Sequence, residues 1–183
     1  MADYVLEMKG ITKTFPGVVA LHDVSLSVQR GTVHALIGEN GAGKSTLMKI
    51  LNGVYTASKG EIFLDGEKLE LHGVKDAQRK GISIIFQEFN LVNSLTVAEN
   101  IFLGRYNDKN IIDWSSLKKQ AKELLDRLGF DFNVDQPVGK LSTAEKQLVE
   151  IAKALSLNAK IIVMDEPTSS LTKNEVELFF PII

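Results

Sequence analysis

GENGAGKS, Gly38 to Ser45, is the stretch on which the fold turns. It fits the spacing G-x-x-x-x-G-K-S/T, in which glycines let the backbone curl until successive N–H groups point inward at phosphate oxygens. The cradle would run over Gly38, Glu39, Asn40, Gly41, Ala42 and Gly43. Lys44 would neutralise β- and γ-phosphates, Ser45 would ligate Mg²⁺, and the Thr46 hydroxyl would reach the α-phosphate. The flanks support a phosphate loop over a chance glycine-rich turn. VHALIG (Val33–Gly38) reads as a buried strand, and KSTLMKIL reads as a helix stopped at Gly53.

A second piece lies far downstream. IIVMDE, Ile161 to Glu166, is an apolar strand ending in two acids. By themselves the acids would merely solvate a strand end. Beside a phosphate loop, Asp165 is placed to hold magnesium and its water shell, and Glu166 to polarise an attacking water. GISIIFQ ends another apolar strand at Gln87, whose amide can both donate and accept, toward a Mg²⁺ ligand and a water. A plain strand-end polar residue reads equally well there.

Around these pieces, YVLEMKGITKTF and ALHDVSLSV alternate as strands, and EIFLDGEKLEL carries the hairpin signal Asp65-Gly66. From Glu88 to Asn158 the pattern turns mostly helical, with LTVAENI, SSLKKQAKELLDRLG and STAEKQLVEIAKALSL in sequence. TKNEVELFF starts one more helix. The expected organisation is residues 1–87 as a β part with the phosphate-loop core, 88–158 as a helical subdomain, and 159–183 as the acidic strand and a truncated remainder of the core. The fold class is α/β.

Bulk properties narrow the classes of function. A net charge of −2 argues against a large nucleic-acid face. With no cysteine, disulfide frameworks and zinc–thiolate sites are excluded. No apolar run reaches the roughly 18 residues of a spanning helix, so work at a membrane would need a partner to supply the membrane part.

KLSTAEKQLVE, Lys140 to Glu150, admits two readings. Ser142 and Glu145 have capping-box spacing. The same helix start would present free N–H groups and a positive dipole end to an anion.

In this order, the pieces resemble the nucleotide-binding cassette of ABC transporters over almost the whole chain. Gly38–Thr46 is similar to Walker A, Gln87 to the Q-loop glutamine, Leu141–Gln147 to the LSGGQ signature, Ile161–Glu166 to Walker B, and Ser169–Thr172 to the D-loop. Phe15 stands where the family places an aromatic that stacks on adenine, with a strand-core aromatic as the less favoured alternative. The wording of GITKTFPGVVALHDVSLSV and VEIAKALSLNAKIIVMDEPTSSLT resembles the first of two tandem cassettes in bacterial monosaccharide importers of the ribose, galactose and xylose type.

The resemblance implies a P-loop NTPase with an N-terminal antiparallel β part, a parallel core sheet and a helical insert. It implies ATP and Mg²⁺, a second cassette whose ATP Ser142 would reach in trans, membrane permease subunits, a solute-binding protein, no nucleic acid, and a cytoplasmic position at the inner face of the cell membrane. The competing readings are a non-transport ABC-type ATPase and a non-catalytic nucleotide-binding scaffold.

Two departures matter. LSTAEKQ replaces the signature's two glycines by Thr143 and Ala144, which only a positive φ would forbid. The family's switch histidine comes after the D-loop, whereas His22, His34 and His72 all precede Ile161. The apolar end at Pro181–Ile183 reads as a truncation that removes C-terminal strands, so this piece is expected to hydrolyse ATP poorly and to have a perturbed core sheet.

Overall fold

The computed structural model describes residues 3–86, 88–104 and 112–165. The backbone divides into two compact units between Ile82 and Ser83.

The first unit is built on a four-stranded antiparallel sheet in the order β2-β1-β3-β4, with β1 at Tyr4–Phe15, β2 at Val18–Gln29, β3 at Lys59–Leu64 and β4 at Glu67–Lys68. Simple alternation would put Met8 and Ile11 on opposite faces of β1, yet both are fully buried. A register shift between them resolves this: an extra residue at Lys9-Gly10 restores the inward phase. The β3–β4 turn is Asp65-Gly66, both with positive φ, as a two-residue hairpin of type I′ requires.

Helix α1 (Lys44–Leu51) buries Leu47, Ile50 and Leu51. It stops as expected: Gly53 N–H donates to Ile50 O at 3.0 Å and Val54 N–H to Lys49 O at 2.9 Å, the paired bonds of a Schellman ending. The short α2 (Val74–Arg79) comes next, with Ala77 buried.

VHALIG is the correction in this unit. Residues 33–38 join no strand ladder among the described residues, and Val33 and Ile37 are 76% and 90% exposed. Apolar character alone does not make a strand. The segment needs neighbours that take its N–H and C=O groups, and no described strand does so.

Strand β5 (Ile82–Ile85), in the second unit from Ser83 onward, pairs with β6 (Ile161–Met164). The Asp165 N–H donates to Ile85 O at 3.0 Å, joining the two carboxyl ends, so the strands run parallel. The β6 residues are half-buried rather than fully buried. Between the strands come α3 (Val97–Ile101), α4 (Trp114–Arg127) and α5 (Thr143–Leu155). Val97, Ala98 and Ile101 of α3, Ala121 and Leu125 of α4, and Val149 and Ala152 of α5 share one core with Phe130, Val138 and Leu141. Another face of α5 places Ile151 and Ala154 against Ile85, Ile162 and Met164. Helix α5 is thus wedged between the helical core and the parallel pair, which fixes the direction of its N-terminus. Gln87, Glu166, Ser169–Thr172, the TKNEVELFF segment expected to be a helix, and Pro181–Ile183 lie outside the described residues.

Candidate functional site

The loop at 38–45 is a tight curl laid on β2. Its Ala42 N–H donates to Glu39 O at 3.1 Å, and the Lys44 ammonium donates to Gly38 O at 2.6 Å and Glu39 O at 2.9 Å. The lysine therefore draws the loop around its own side chain. Gly43 has φ +91°, and a Cβ there would lie 2.6 Å from Leu21 Cδ2 and 2.8 Å from Ala20 O. Both the left-handed backbone and the close approach to β2 demand glycine. Gly38 to Ala42 and Ser45 are exposed; Gly43, Lys44 and Thr46 are half-buried.

Gly43 is the N-cap of α1, no side chain caps this helix, and its first turn contains no acid. Thr96, Asp113 and Ser142 cap α3, α4 and α5, and Asp76 lies in the first turn of α2. Among the described α-helices, α1 alone starts with neither device. Its first-turn N–H groups and positive dipole end are left for an anion. Curled backbone, glycine at the crowded point, a lysine at the rim and an uncapped helix start together fit a polyphosphate.

Phe15 ends β1, half-buried, with its ring edge-on to Tyr55 at 5.3 Å between centroids. Asp165 is exposed at the end of β6. Among the described residues no three His, Asp or Glu side chains cluster as a metal site.

Ser142 is exposed and caps α5. Its N–H donates to Glu145 Oε2 at 2.7 Å while Glu145 N–H donates to Ser142 Oγ at 3.3 Å, a complete capping box. Thr143 and Ala144 are ordinary helical residues. The described non-glycine residues with positive φ are Asp23, Asp65 and Asn158, so the departures from glycine cost nothing in backbone strain. Gln147 is buried, and its Nε2 has no hydrogen-bond partner among the described residues.

The sequence reading missed one group of polar residues. Glu150 is 6% exposed, and its Oε1 accepts from Asn90 N–H at 2.7 Å; the Lys153 ammonium donates to Asn90 O at 2.8 Å. Burial pushes the Glu150 carboxyl up, while Lys153 and the Asn90 N–H pull it back. Fully buried Asn100 accepts from Val92 N–H at 2.7 Å and donates to the carbonyls of Val92, Leu95 and Thr96. Together α3 and α5 hold the chain from Asn90 to Thr96 by its backbone. One signal was available: Glu150 lies on the stripe of Gln147, Ile151 and Ala154, where a helix facing a core is apolar.

The ABC transporter family matches residues 21–169. A putative ribose/galactose/methyl galactoside import ATP-binding protein of Geobacillus kaustophilus is 54% identical over 99% of the chain and 37% of its own length. A ribose import ATP-binding protein of Caldanaerobacter subterraneus is 52% identical over 98% of the chain and 36% of its own length. The chain thus spans about a third of the length of the curated relatives it matches. Among solved structures, a nucleotide-free ATP-binding cassette from an ABC transporter aligns with a TM-score of 0.86 at 30% identity, over 97% of this chain and 75% of that one. A dimeric post-hydrolysis cassette bound to ADP and Pi aligns with a TM-score of 0.80 at 28% identity, over 97% and 80%. The match of fold and of sequence over most of the chain shows that the chain belongs to the ABC transporter family of ATP-binding cassettes.

Proposed function

We propose that the whole protein binds and hydrolyses ATP to drive uptake of a monosaccharide or a related small polar solute. The observation that carries this is the phosphate cradle: a loop curled around Lys44, opening into a helix with no cap of its own. The relatives described as sugar-import ATP-binding proteins support the transport reading.

In this reading Gly38 to Thr46 hold the triphosphate and Lys44 offsets its charge. Ser45, Asp165 and Gln87 hold Mg²⁺, which would neutralise charge on the β- and γ-phosphate oxygens. Glu166 orients the attacking water, and Phe15 stacks on adenine. Ser142, exposed at the tip of α5, addresses ATP held by a second cassette. No helix among the described residues is long and apolar enough to cross a membrane. In the same reading the route for the solute belongs to permease subunits, fed by a solute-binding protein, with this chain at the inner face of the membrane.

The test is ATP turnover by the full-length protein. Lys44→Ala should lose nucleotide affinity, and Glu166→Gln should bind ATP without turning it over. Co-purification with hydrophobic membrane subunits separates the importer from a non-transport ATPase. Unaltered turnover in Glu166→Gln would overturn the assigned roles.

A further inference from the structure

The Phe15 and Tyr55 rings form a cluster with two ammonium groups: Lys13 lies over both rings and Lys49 over Tyr55. The Phe15 and Tyr55 rings meet at 75°, the edge-to-face arrangement that the ring quadrupoles favour. The Lys13 ammonium lies 5.0 Å from the Phe15 centroid and 5.7 Å from that of Tyr55. It is anchored there by donating to Thr56 O at 2.8 Å. Tyr55 is tied in turn to the far end of α1: its N–H donates to Lys49 O at 3.2 Å, and the Lys49 ammonium lies 5.8 Å from its ring centroid. The helix that opens in the phosphate loop thereby carries, at its other end, the residue that braces Phe15.

We infer that Tyr55 and Lys13 are positioning residues for the base of a bound nucleotide. They hold the Phe15 ring in place, by an edge contact and a cation, as a stacking platform. This rests on the reading that residues 38–46 bind a nucleoside triphosphate. A ring already held by an edge contact and a cation loses little freedom when a base settles on it, and such preorganisation raises affinity. Stacking needs only a flat π face, so the device serves the base and leaves the phosphates to the loop. Tyr55 and Lys13 should therefore affect a nucleotide and not a bare polyphosphate.

The experiment is calorimetric binding of Mg·ATP and of magnesium tripolyphosphate to the full-length protein. Tyr55→Ala and Lys13→Met should each weaken ATP by about threefold to tenfold, the scale of one aromatic or cation contact. Tripolyphosphate affinity should stay at the wild-type value, which also shows that the loop remains folded. Tyr55→Phe and Lys13→Arg should retain ATP affinity. Equal weakening of both ligands would reduce Tyr55 and Lys13 to general support of the fold and overturn the inference. ATP binding weakened by Phe15→Ala but untouched by Tyr55→Ala and Lys13→Met would overturn it while leaving the stacking role of Phe15 intact. No effect of Phe15→Ala would overturn both. Failure of the wild-type protein to bind either ligand would overturn the nucleotide reading itself.

Discussion

The Glu150 carboxylate accepts the Asn90 N–H at 2.7 Å, across sixty positions of sequence. One helical turn on, Lys153 takes the Asn90 carbonyl at 2.8 Å. Both polar groups of a single peptide residue are thus held by one helix, the helix whose N-terminus carries Ser142. Any shift of α5 along its axis must carry the chain around Asn90 with it or break these bonds.

Removing the carboxylate should therefore destabilise the second unit. Glu150→Ala leaves a part-buried N–H without an acceptor, at a cost of about 1–3 kcal/mol. Glu150→Gln keeps an acceptor oxygen and should lose less. Urea unfolding of the two variants checks this, and a neutral Glu150→Ala would contradict the clamp.

The same residue sets a pH dependence. Burial raises the Glu150 pKa above its ordinary 4.5. Between the unfolded and the folded value, the native state holds more protons than the unfolded state. Stability from this group therefore falls as pH rises through that window and is level above it. The difference in unfolding free energy between wild type and Glu150→Gln, measured from pH 4 upward, should show that slope, and a difference flat with pH would refute it.

Gly43→Ala should fail twice over. Alanine at φ +91° is strained, and its Cβ would meet Leu21 at 2.6 Å and the Ala20 carbonyl at 2.8 Å. The backbone strain alone costs about 1–3 kcal/mol. Adding Leu21→Ala relieves only the side-chain contact, so the double variant should not regain ATP affinity. Thermal melting and nucleotide titration together test this, and recovery in the double variant would place the problem in packing alone.

At the start of α5, Ser142→Ala should cost about 0.5–2 kcal/mol through the lost cap. Restoring glycines by Thr143→Gly and Ala144→Gly should not stabilise the protein, because neither position uses a positive φ. Each should instead lose up to about 1 kcal/mol of helix propensity. Denaturation midpoints decide it; a gain on adding glycine would show a backbone need that the helix does not display.

The contrast between α5 and α1 shows what could be read beforehand. At Ser142 the cap and its partner are three residues apart, so spacing alone predicts the box that forms. At Gly43 the loop motif is equally local, but its dependence on Leu21 and Ala20 is not. VHALIG shows the opposite failure. Its composition is that of a buried strand, yet pairing is a property of neighbours, and the described residues supply none.

What the chain alone determined was therefore what short-range spacing carries: the curled loop at 38–45, the hairpin at Asp65-Gly66, the stop of α1 at Gly53, the cap of α5 at Ser142, and the acid at the end of β6. Tertiary structure alone decided which distant groups meet. It put Tyr55 and Lys13 on Phe15, set Leu21 beneath Gly43, and turned Glu150 toward Asn90. The physical reason is that a backbone hydrogen bond or a ring contact depends on proximity in space. Periodicity along the chain reports only which face a residue occupies, and not what will be waiting there.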